Sequence, residues 1–593
     1  MPENILVAVA WPYANAEIHV GNITGAYLPA DIITRYHRLK GNNVIMVSGT
    51  DSHGTPVTIR ADQENQDPET VYKRFHTSFI DLFIKTGLTY DLFTTTHTRN
   101  HFRVSQSIFL ALLENGYLYT ETRPQWYSPE AERFLPDRYI EGTCYICGYE
   151  GARSDQCDNC GNVLEADKLL EPRSKVDDSS PVLKETEHYF FDLSKIEPQV
   201  VEFLRARKDY WRDTVIGQSL GQIENDGLLP RPITRDLDWG IPVPVEGWEG
   251  KCLYVWFEAV IGYLSAPIEW SALNGEPDAW KAWWTDPKAK GFYFIGKDNI
   301  FFHASLWPAQ IMGVKDKFPP IFNEDEPAPL TAPYDVPANQ FMNMEGSKIS
   351  GSRNWAVWGH DFLERHDPDA LRFYLIANMP ENRDSDWDWD DFVARNNNQL
   401  VANWGNLANR VLSFGHKHWQ GVVPDPGELR PEDQAIIDTV NGGFDSVGKL
   451  LDGVKIRAAM NEILRLATEV NKYLDASAPW KAVKTDKDEA GKSIYTALRC
   501  IDSLSTLMAP FLPFSSEKLR GYLGYETPIF GTQWVDTIED DLGEHTALRY
   551  NPEGATGTWA PSELTPGTSF QKPKPLFRKL DVSVADEERN RLG

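Results

Sequence analysis

The chain has 593 residues, of which 41% are hydrophobic and 12% aromatic; this excludes overall disorder and, at about 150 residues per domain, predicts roughly four compact units. The 59 Lys and Arg residues against 86 Asp and Glu residues give a formal net charge of −27, which excludes a chain-wide basic surface for nucleic acid and leaves that role to local basic patches. The sequence has neither an apolar run of about 18 residues nor a basic leader with a cleavage site, so we expect a cytoplasmic protein without a membrane span or signal peptide.

The N-terminal segment alternates strand and helix patterns. Residues 5–11 (ILVAVAW) are a short apolar run typical of a buried parallel strand. The loop 12–22 leads into a helical pattern that runs through residue 40 and is closed by Gly41, and residues 44–47 predict a second strand. This βαβ pattern predicts an α/β fold with a doubly wound, Rossmann-like parallel sheet that binds ligands outside the carboxyl ends of its strands.

The rest of the chain changes character twice. A turn-rich, cysteine-bearing stretch indicates an insertion, after which strand-like runs resume at 253–263 and 292–295. In 456–474 and 494–508 apolar residues recur at helical spacing, which predicts a helix bundle. The expected domains are a catalytic domain (1–117 and 236–330), an insertion (118–235), a loop and stem-contact region (331–389), a helical domain (390–544) and a tail over the surface (545–593).

Four of the six cysteines form two Cys-x2-Cys pairs within the insertion, Cys144 with Cys147 and Cys157 with Cys160. Two such turns can present four thiolates tetrahedrally to zinc, and four protein ligands leave no position for water. Four free core cysteines are the alternative, but they would not require this spacing. We therefore predict one structural zinc ion per chain.

Two other segments contain residue types that bind phosphate. His19, Gly21 and Asn22 lie where the loop after the first strand enters a helix, whose free amides favour phosphate. Residues 346–353 (GSKISGSR) form a small-residue segment with a lysine and hydroxyls that can fold over a polyphosphate, although the spacing is not that of a Walker A motif. Each segment alone is a weak signal, because an isolated histidine is usually incidental and a flexible surface loop is the better explanation of 346–353 taken by itself.

Together these motifs resemble a known family. AWPYANAEIHVGN, GTDSHGTP, TRDLDWGIPVP, YVWFEAVIGY, FIGKDNIFFH, KISGS, GNLANR and APW are similar to motifs of the class I aminoacyl-tRNA synthetases, and within them of the methionyl-tRNA synthetase family, over nearly the whole chain. The resemblance implies ATP-dependent formation of methionyl-adenylate, with magnesium accompanying ATP, and transfer of methionine to the 3′ end of tRNA(Met). The implied partners are ATP, L-methionine and tRNA(Met), with no membrane; we expect a monomer because no oligonucleotide-binding domain follows the helical region.

The resemblance also implies roles for single residues. The catalytic residues would be those matching the HIGH motif (His19, Asn22) and the KMSKS motif (Lys348, Ser350, Ser352). The ATP contacts would be Gly21, Gly296, Asp298, Lys348, Gly351 and Arg235. The methionine pocket would comprise Ala10, Trp11, Tyr13, Asp51 (facing the ammonium group), Trp256, Ala259, Val260, Tyr263, Asn299 and His303. The CAU anticodon would be read by Asn406, Arg410, Pro479 and Trp480.

Departures from the family motifs leave a second function open. Asn22 replaces the second histidine of HIGH and Gly351 replaces the second lysine of KMSKS, so a catalytically weakened paralogue that binds tRNA as an adaptor is the alternative. Trp11 and Val260 also differ from the commoner Leu and Pro near the substrate pocket.

The insertion is short and carries a single set of zinc-type cysteines. A synthetase for isoleucine, leucine or valine must reject substrates that differ by a methylene worth ~1–3 kcal/mol, and 118–235 is too short for the editing domain that this requires. Some relatives have a second zinc knuckle, but its cysteines are replaced here by Ser128, Ala131, Ser174 and Asp177.

Overall fold

The computed structural model describes residues 2–136, 139–154, 157, 159–160, 164–175, 179–315 and 329–592. Asp177 lies outside these residues. The described strands are β1 (Asn4–Val9), β2 (Asn43–Thr50), β3 (Leu92–Thr95), β4 (Leu118–Ser128), β5 (Arg133–Phe134), β6 (Ile140–Thr143), β7 (Ala152–Arg153), β8 (Leu170–Ser174), β9 (Val182–Phe191), β10 (Arg231–Pro232), β11 (Thr234–Arg235), β12 (Cys252–Leu253), β13 (Lys290–Gly296), β14 (Ala338–Asn339), β15 (Met342–Met344), β16 (Ser385–Trp387), β17 (Thr532–Asp540) and β18 (Gly543–Asn551).

Helices cover most of the remaining described chain. The α-helices are α1 (Val20–Asn22), α2 (Leu28–Leu39), α3 (Thr55–Glu64), α4 (Pro68–Thr86), α5 (Arg99–Glu114), α6 (Glu197–Arg205), α7 (Asp213–Asp226), α8 (Val255–Glu258), α9 (Gly262–Leu273), α10 (Lys281–Trp284), α11 (Trp307–Val314), α12 (Gly359–Leu363), α13 (Pro368–Ala377), α14 (Trp389–Arg395), α15 (Asn406–Trp419), α16 (Pro431–Asn441), α17 (Gly443–Asp452), α18 (Ile456–Ser477), α19 (Pro479–Ala482), α20 (Lys487–Met508), α21 (Pro513–Tyr522) and α22 (Ser583–Arg589). Short π-helical segments (Ile23–Tyr27, Phe302–Leu306, Asn396–Gly405) and 3₁₀ turns, among them Ala259–Ile261, Lys297–Asn299 and Gly351–Arg353, continue several of them.

The central sheet positions the site. Its order is β14-β13-β1-β2-β3-β18-β17, and β1 is parallel to both β13 and β2. Five of the six residues of β1 are buried, as expected for a strand covered on both faces. The predicted doubly wound parallel sheet is confirmed, and the carboxyl ends of β1, β2 and β13 meet at one edge.

The two antiparallel strands at the far edge of this sheet were not predicted. β17 and β18 form a hairpin from the C-terminal part of the chain, and β18 pairs with β3 through Leu548 opposite Phe93. The hairpin crosses the expected boundary between residues 544 and 545. β17 largely alternates exposed and half-buried residues, so its sequence is typical of a surface segment, and β3, which the hairpin joins through β18, is far away along the chain.

One strand prediction was wrong. Within 253–263 only the first residue belongs to a strand; α8, a 3₁₀ turn and the start of α9 follow. Most apolar residues of this run are buried, Phe257, Val260 and Ile261 among them, whichever way they point. A run that is apolar in every direction has no periodicity to separate a helix from a strand. The run at 292–295 is confirmed as part of β13.

The insertion and the helical region have their own layers. In the insertion β4 pairs with β9 along its whole length, and β6 lies between β7 and β8 in a smaller sheet. The predicted helices at 456–474 and 494–508 are confirmed within α18 and α20, whose apolar faces are buried. Among the described residues, no helix combines the length and the apolar character needed to cross a membrane.

Candidate active site

His19 and Asn22 cap the first helical turn after β1, which we call the His19 turn (residues 19–22). The His19 Nδ1 atom accepts a hydrogen bond from the Gly21 N–H at 3.1 Å, and the Asn22 Oδ1 atom accepts from the His19 N–H at 3.1 Å. Burial lowers the pKa of His19 to about 4, so the imidazole is neutral at neutral pH. With Nδ1 accepting, the ring proton lies on Nε2 and can be donated to an incoming oxygen.

The segment 346–353, which we call the catalytic loop after the role that the motif resemblance implies, lies against this turn. A Cβ atom added to Gly21 would lie 3.2 Å from the Ile349 Cδ1 atom. The residues that follow the loop also contact the turn. The Val20 N–H donates a hydrogen bond to the Val357 carbonyl at 3.0 Å, and the ring centroids of His19 and Trp358 lie 6.0 Å apart. The fold therefore brings together the two phosphate-type segments that the sequence places far apart.

Within the catalytic loop, Lys348 is exposed and is close enough to Asp298 for their charges to interact. Ser350 pairs with Trp355 through backbone hydrogen bonds of 2.9 and 3.0 Å. Gly351 begins a 3₁₀ turn and is not among the residues with positive φ. The side chain of Ser352 lies outside the described part of the chain.

Asp51 follows β2 and is the most informative residue of the predicted methionine pocket. Its backbone forms a parallel bridge with Tyr13 in the loop after β1. The side chain is only 2% exposed, and among the described residues its Oδ1 atom has no hydrogen-bond partner. Burial, together with the charge of Glu258, raises the pKa of Asp51 well above its ordinary value. A buried carboxyl group with an unpaired oxygen suits a ligand that brings a positive charge.

Tyr263, His303 and Asn299 form a hydrogen-bonded chain across the pocket. The Asn299 carbonyl accepts from His303 Nδ1 at 2.9 Å, so His303 Nε2 accepts from the Tyr263 hydroxyl at 2.7 Å. Burial lowers the pKa of His303 to about 4, and the ring is neutral. The chain therefore fixes the orientation of the Tyr263 ring.

Aromatic rings line the same pocket. Tyr13 meets Trp256 edge to face at 5.8 Å, and Trp256 stacks on Phe302 at 4.1 Å. Sequence reasoning missed Phe302, although it directly precedes His303 in the FIGKDNIFFH motif. Polarizable rings at this distance suit a thioether side chain.

Trp11 lies between two glycines that sequence reasoning also missed. A Cβ atom on Gly49 would lie 2.1 Å from the Trp11 indole, and one on Gly262 would lie 2.5 Å from it. Ala259 and Val260, which shortly precede Gly262 in the sequence, are also buried. Before Trp11, the Ala10 N–H donates a hydrogen bond to the Phe294 carbonyl at 3.0 Å. The bulky indole at position 11 is therefore accommodated because both neighbours lack side chains.

The remaining predicted ATP contacts lie in two places. Gly296 ends β13, and a Cβ atom there would lie 2.6 Å from the Asp298 Oδ1 atom, so only glycine lets this carboxylate approach. Arg235 lies 3.8 Å from the Tyr254 ring centroid and lines a separate cleft of about 890 Å³ together with Phe301.

A larger cavity of about 1160 Å³ adjoins the residues that precede the His19 turn and those that follow the catalytic loop.

The four predicted cysteine ligands converge. The Sγ atoms of Cys144, Cys147, Cys157 and Cys160 all lie within 4.8 Å of one another, and those of Cys147 and Cys157 are 3.6 Å apart. Gly148 has a φ of 75°, which lets the first Cys-x2-Cys turn close. Four soft sulfur ligands this close together fit a zinc ion.

The predicted anticodon residues also lie together, at one side of the helical region. Asn406 and Arg410 are exposed one turn apart on α15, and the Arg410 guanidinium lies 5.1 Å from the Trp480 ring centroid. Pro479 is buried and Trp480 is half-buried at the start of α19. Arg410 also lies 3.6 Å from Asp475, so the arrangement brings a paired cation and an aromatic ring together at the surface.

Comparison with known proteins identifies the family. The model of class I tRNA synthetases (M) matches residues 5–412, and the model of the anticodon binding domain of methionyl tRNA ligase matches residues 423–593. The chain belongs to the methionyl class I tRNA synthetases.

Similar proteins span the whole chain. Methionine–tRNA ligase of Thermomicrobium roseum is 50% identical over 100% of this chain and 99% of the relative, and that of Roseiflexus sp. is 49% identical with the same coverage. The structure of Mycobacterium tuberculosis methionyl-tRNA synthetase in complex with methionyl-adenylate superposes with a TM-score of 0.76, covering 97% of this chain and 100% of that one at 24% identity, which shows the fold alone. The predicted family and methionine–tRNA ligase function are confirmed, and none of these findings favours the adaptor alternative.

Proposed function

We propose that this methionine–tRNA ligase forms methionyl-adenylate where the carboxyl ends of β1, β2 and β13 meet, and then transfers methionine to the 3′ end of tRNA(Met). The observation that carries this placement is the close approach of Ile349 of the catalytic loop to Gly21 of the His19 turn, where an added Cβ atom would lie 3.2 Å from the Ile349 Cδ1 atom. It supports a single site at which two segments with phosphate-type donors act, and the loop that leads from β1 to the His19 turn also carries Tyr13, which bridges Asp51. ATP and methionine bound there would have their reacting atoms side by side.

In the activation step, a methionine carboxylate oxygen attacks the α-phosphorus of ATP, and the bond to the bridging oxygen breaks to release diphosphate. His19 would donate a hydrogen bond from its Nε2–H group to an α-phosphate oxygen, and the side-chain amide nitrogen of Asn22 would donate a second hydrogen bond to the same phosphate. Neither group has to change its protonation state. The barrier is lowered because preorganised donors meet the charge that develops on the phosphorus oxygens.

The catalytic loop would hold the leaving diphosphate. Lys348 supplies the cation and Ser350 and Ser352 the hydroxyls, without the second lysine that Gly351 replaces. Magnesium would arrive with ATP and neutralise part of the phosphate charge. Gly296 and Asp298 would contact adenosine and ribose, while Arg235 would order the site from the neighbouring cleft.

Methionine would be recognised at both ends. Its ammonium group would pair with Asp51, whose Oδ1 atom is unpartnered among the described residues. Its thioether would lie against Tyr13, Trp256 and the oriented ring of Tyr263. Ala10, Trp11, Ala259, Val260, Asn299 and His303 would complete the walls and backbone contacts of the pocket.

The other sites would serve stability and tRNA selection. Cys144, Cys147, Cys157 and Cys160 would bind one structural zinc ion that organises the insertion, whose core is small. Asn406, Arg410, Pro479 and Trp480 would read the CAU anticodon, with Trp480 as a stacking platform. The domain boundaries, the monomeric state and the cytoplasmic location also stay predictions.

Methionine-dependent exchange of labelled diphosphate into ATP, measured without tRNA, tests the placement. The chain should catalyse exchange with L-methionine, and His19→Ala should abolish most of it. A matched control is His418→Ala, because His418 lies at the end of α15 in the helical region. Equal exchange by His19→Ala and wild type would mean that activation takes place elsewhere.

A further inference from the structure

The C-terminal helix α22 is docked against the turn between α12 and α13 by a buried carboxylate. Glu588 is 4% exposed, and its two oxygens accept hydrogen bonds from Arg365 Nε at 2.8 Å and Arg365 Nη2 at 2.7 Å. His366 Nε2 lies 2.9 Å from the Glu588 Oε1 atom. A forked arginine–carboxylate pair is a strong and directional contact, so it holds α22 in one orientation.

The chain that leads to α22 is bonded to the start of the helical region. The Asn397 side-chain amide donates to the Leu580 carbonyl at 2.9 Å, and its oxygen accepts from the Leu580 N–H at 2.9 Å. The Asn396 side-chain amide donates to the Arg578 carbonyl at 3.0 Å. We call residues 578–592 the C-terminal strap, because this segment joins the start of the helical region to α22.

The strap reaches the residue that directly precedes the catalytic loop. Arg589 Nε donates to the Glu345 Oε1 atom at 3.1 Å, and Arg589 Nη2 donates to the Asp390 Oδ2 atom at 2.6 Å. The Glu345 Oε1 atom also accepts from the Trp389 N–H at 3.1 Å. The Glu345 carboxylate is therefore held from two sides, by the strap and by the start of α14.

Glu345 occupies the turn from which the catalytic loop starts. Glu345 and Gly346 both have positive φ, 47° and 75°, and the backbones of Met344 and Ser347 bond each other on either side of them at 2.8 and 2.9 Å. Two central residues with positive φ are typical of a type I′ turn, which favours Asn, Asp or Gly. Glutamate at this position is therefore explained by the contacts of its carboxylate and not by the turn. Lys348 directly follows Ser347, so the orientation of this turn sets where the loop places its lysine.

We propose that the C-terminal strap positions the catalytic loop, with Arg589 as the positioning residue. Arg589 holds the carboxylate of Glu345, and this contact fixes the turn from which Lys348 reaches the diphosphate. The inference rests on the diphosphate role proposed above for the catalytic loop. Arg589 acts through Glu345 and does not itself contact the substrates.

The position of Glu345 determines which kinetic constant should change. The methionine pocket is built from other segments, the loops after β1 and β2 and the residues around Tyr263 and His303. Loosening the turn should therefore weaken the contact with diphosphate and leave methionine binding as it is. Because Arg589 is 30% exposed and Glu345 20% exposed, the loss of their ion pair should have an effect of about twofold to fivefold.

Methionine-dependent exchange of diphosphate into ATP by the full chain, measured over a series of diphosphate and methionine concentrations, tests the inference. Arg589→Gln should raise KM for diphosphate about twofold to fivefold, with KM for methionine unchanged. Arg589→Lys keeps the charge and should regain part of the loss. In a Lys348→Ala background, Arg589→Gln should have no further effect on KM for diphosphate, because the strap acts through the position of that lysine.

Arg465→Gln is the matched control. Arg465 Nε and Nη2 donate to the two carboxylate oxygens of Glu462 at 2.7 and 2.8 Å, within α18. The variant removes an arginine–glutamate contact of the same kind, but one that lies within a single helix of the helical region. Both KM values should therefore stay at those of the wild type.

Three results would overturn the inference. The first is a folded Arg589→Gln variant with the KM for diphosphate of the wild type. The second is an equal rise in KM for diphosphate and for methionine with a lower midpoint of thermal unfolding, which would make Arg589 a residue of the fold only. If Arg589→Gln does not fold, Glu345→Gln removes the charge of the other partner and should raise KM for diphosphate in the same way; an unchanged KM there is the third. A wild type without methionine-dependent exchange would instead refute the proposed function, on which the inference rests.

Discussion

Lys348 is the only lysine of the catalytic loop, and replacing it tests the proposed diphosphate contact. Lys348 is exposed, and the described residues form no salt bridge with it, so Lys348→Ala should leave the free energy of unfolding unchanged. If its charge meets the leaving diphosphate, its loss should slow adenylate formation about 10²–10³-fold, or roughly 2.7–4 kcal/mol, as for removal of one preorganised donor. Lys85→Ala, which removes an exposed lysine paired with Asp81 on α4, is the control.

Gly351→Lys is the complementary change, because it restores the cation that the family motif has at this position. Gly351 does not have positive φ, so lysine causes no backbone strain. Its Cβ atom would lie 3.1 Å from the Trp358 Cη2 atom, so the indole edge must give by a few tenths of an ångström. We expect adenylate formation at the wild-type rate or faster.

The assay for both variants is single-turnover formation of methionyl-adenylate at saturating methionine, with thermal unfolding measured in parallel. A wild-type rate in Lys348→Ala, together with a slower rate in Gly351→Lys, would refute the placement of the loop on the diphosphate. A slow Lys348→Ala variant that is also unstable would mean that the lysine acts on the fold rather than on the reaction.

Three further predictions concern the other sites. Asp51→Asn removes a charge-assisted contact worth about 1.5–3 kcal/mol and should raise KM for methionine about tenfold to hundredfold in diphosphate exchange, with KM for ATP almost unchanged. Cys157→Ser should lower the zinc content from about one ion per chain and increase proteolysis within the insertion; full zinc retention would contradict the four-thiolate site. Trp480→Ala should raise KM for tRNA by an amount corresponding to roughly 1–3 kcal/mol of stacking, and an equal loss of adenylate formation would identify Trp480 as a core residue.

Features with a strong local pattern were predictable from the sequence. β1 and β2 are short apolar runs bounded by turns, and α18 and α20 repeat apolar residues at helical spacing. The two Cys-x2-Cys pairs have a spacing that by itself predicts a metal-binding turn. Each depends on contacts close in sequence or on a periodicity that burial of one face imposes. The motif resemblance then supplied candidate site residues that spacing alone left open.

The features that were missed depend on contacts across the chain. The 253–263 run has no clear periodicity because most of its residues are buried, and the β17–β18 hairpin becomes part of the sheet through the pairing of β18 with Leu92 and Phe93 of β3. Glu258 lies in the sequence as one acidic residue among apolar ones; only the fold shows that His53 and His101 enclose it. The roles of Gly49 and Gly262 likewise follow from the indole of Trp11 between them.

The central claim is that this site joins methionine to tRNA(Met), and charging of the tRNA tests it most directly. The full chain is incubated with ATP, labelled L-methionine and tRNA(Met), and the aminoacyl ester at the 3′ end is quantified beside a tRNA(Met) whose CAU anticodon has been changed. We predict ester formation on tRNA(Met) and a large loss of it when the anticodon is changed. Binding of tRNA(Met) without any methionyl ester would contradict the account and favour a tRNA-binding adaptor.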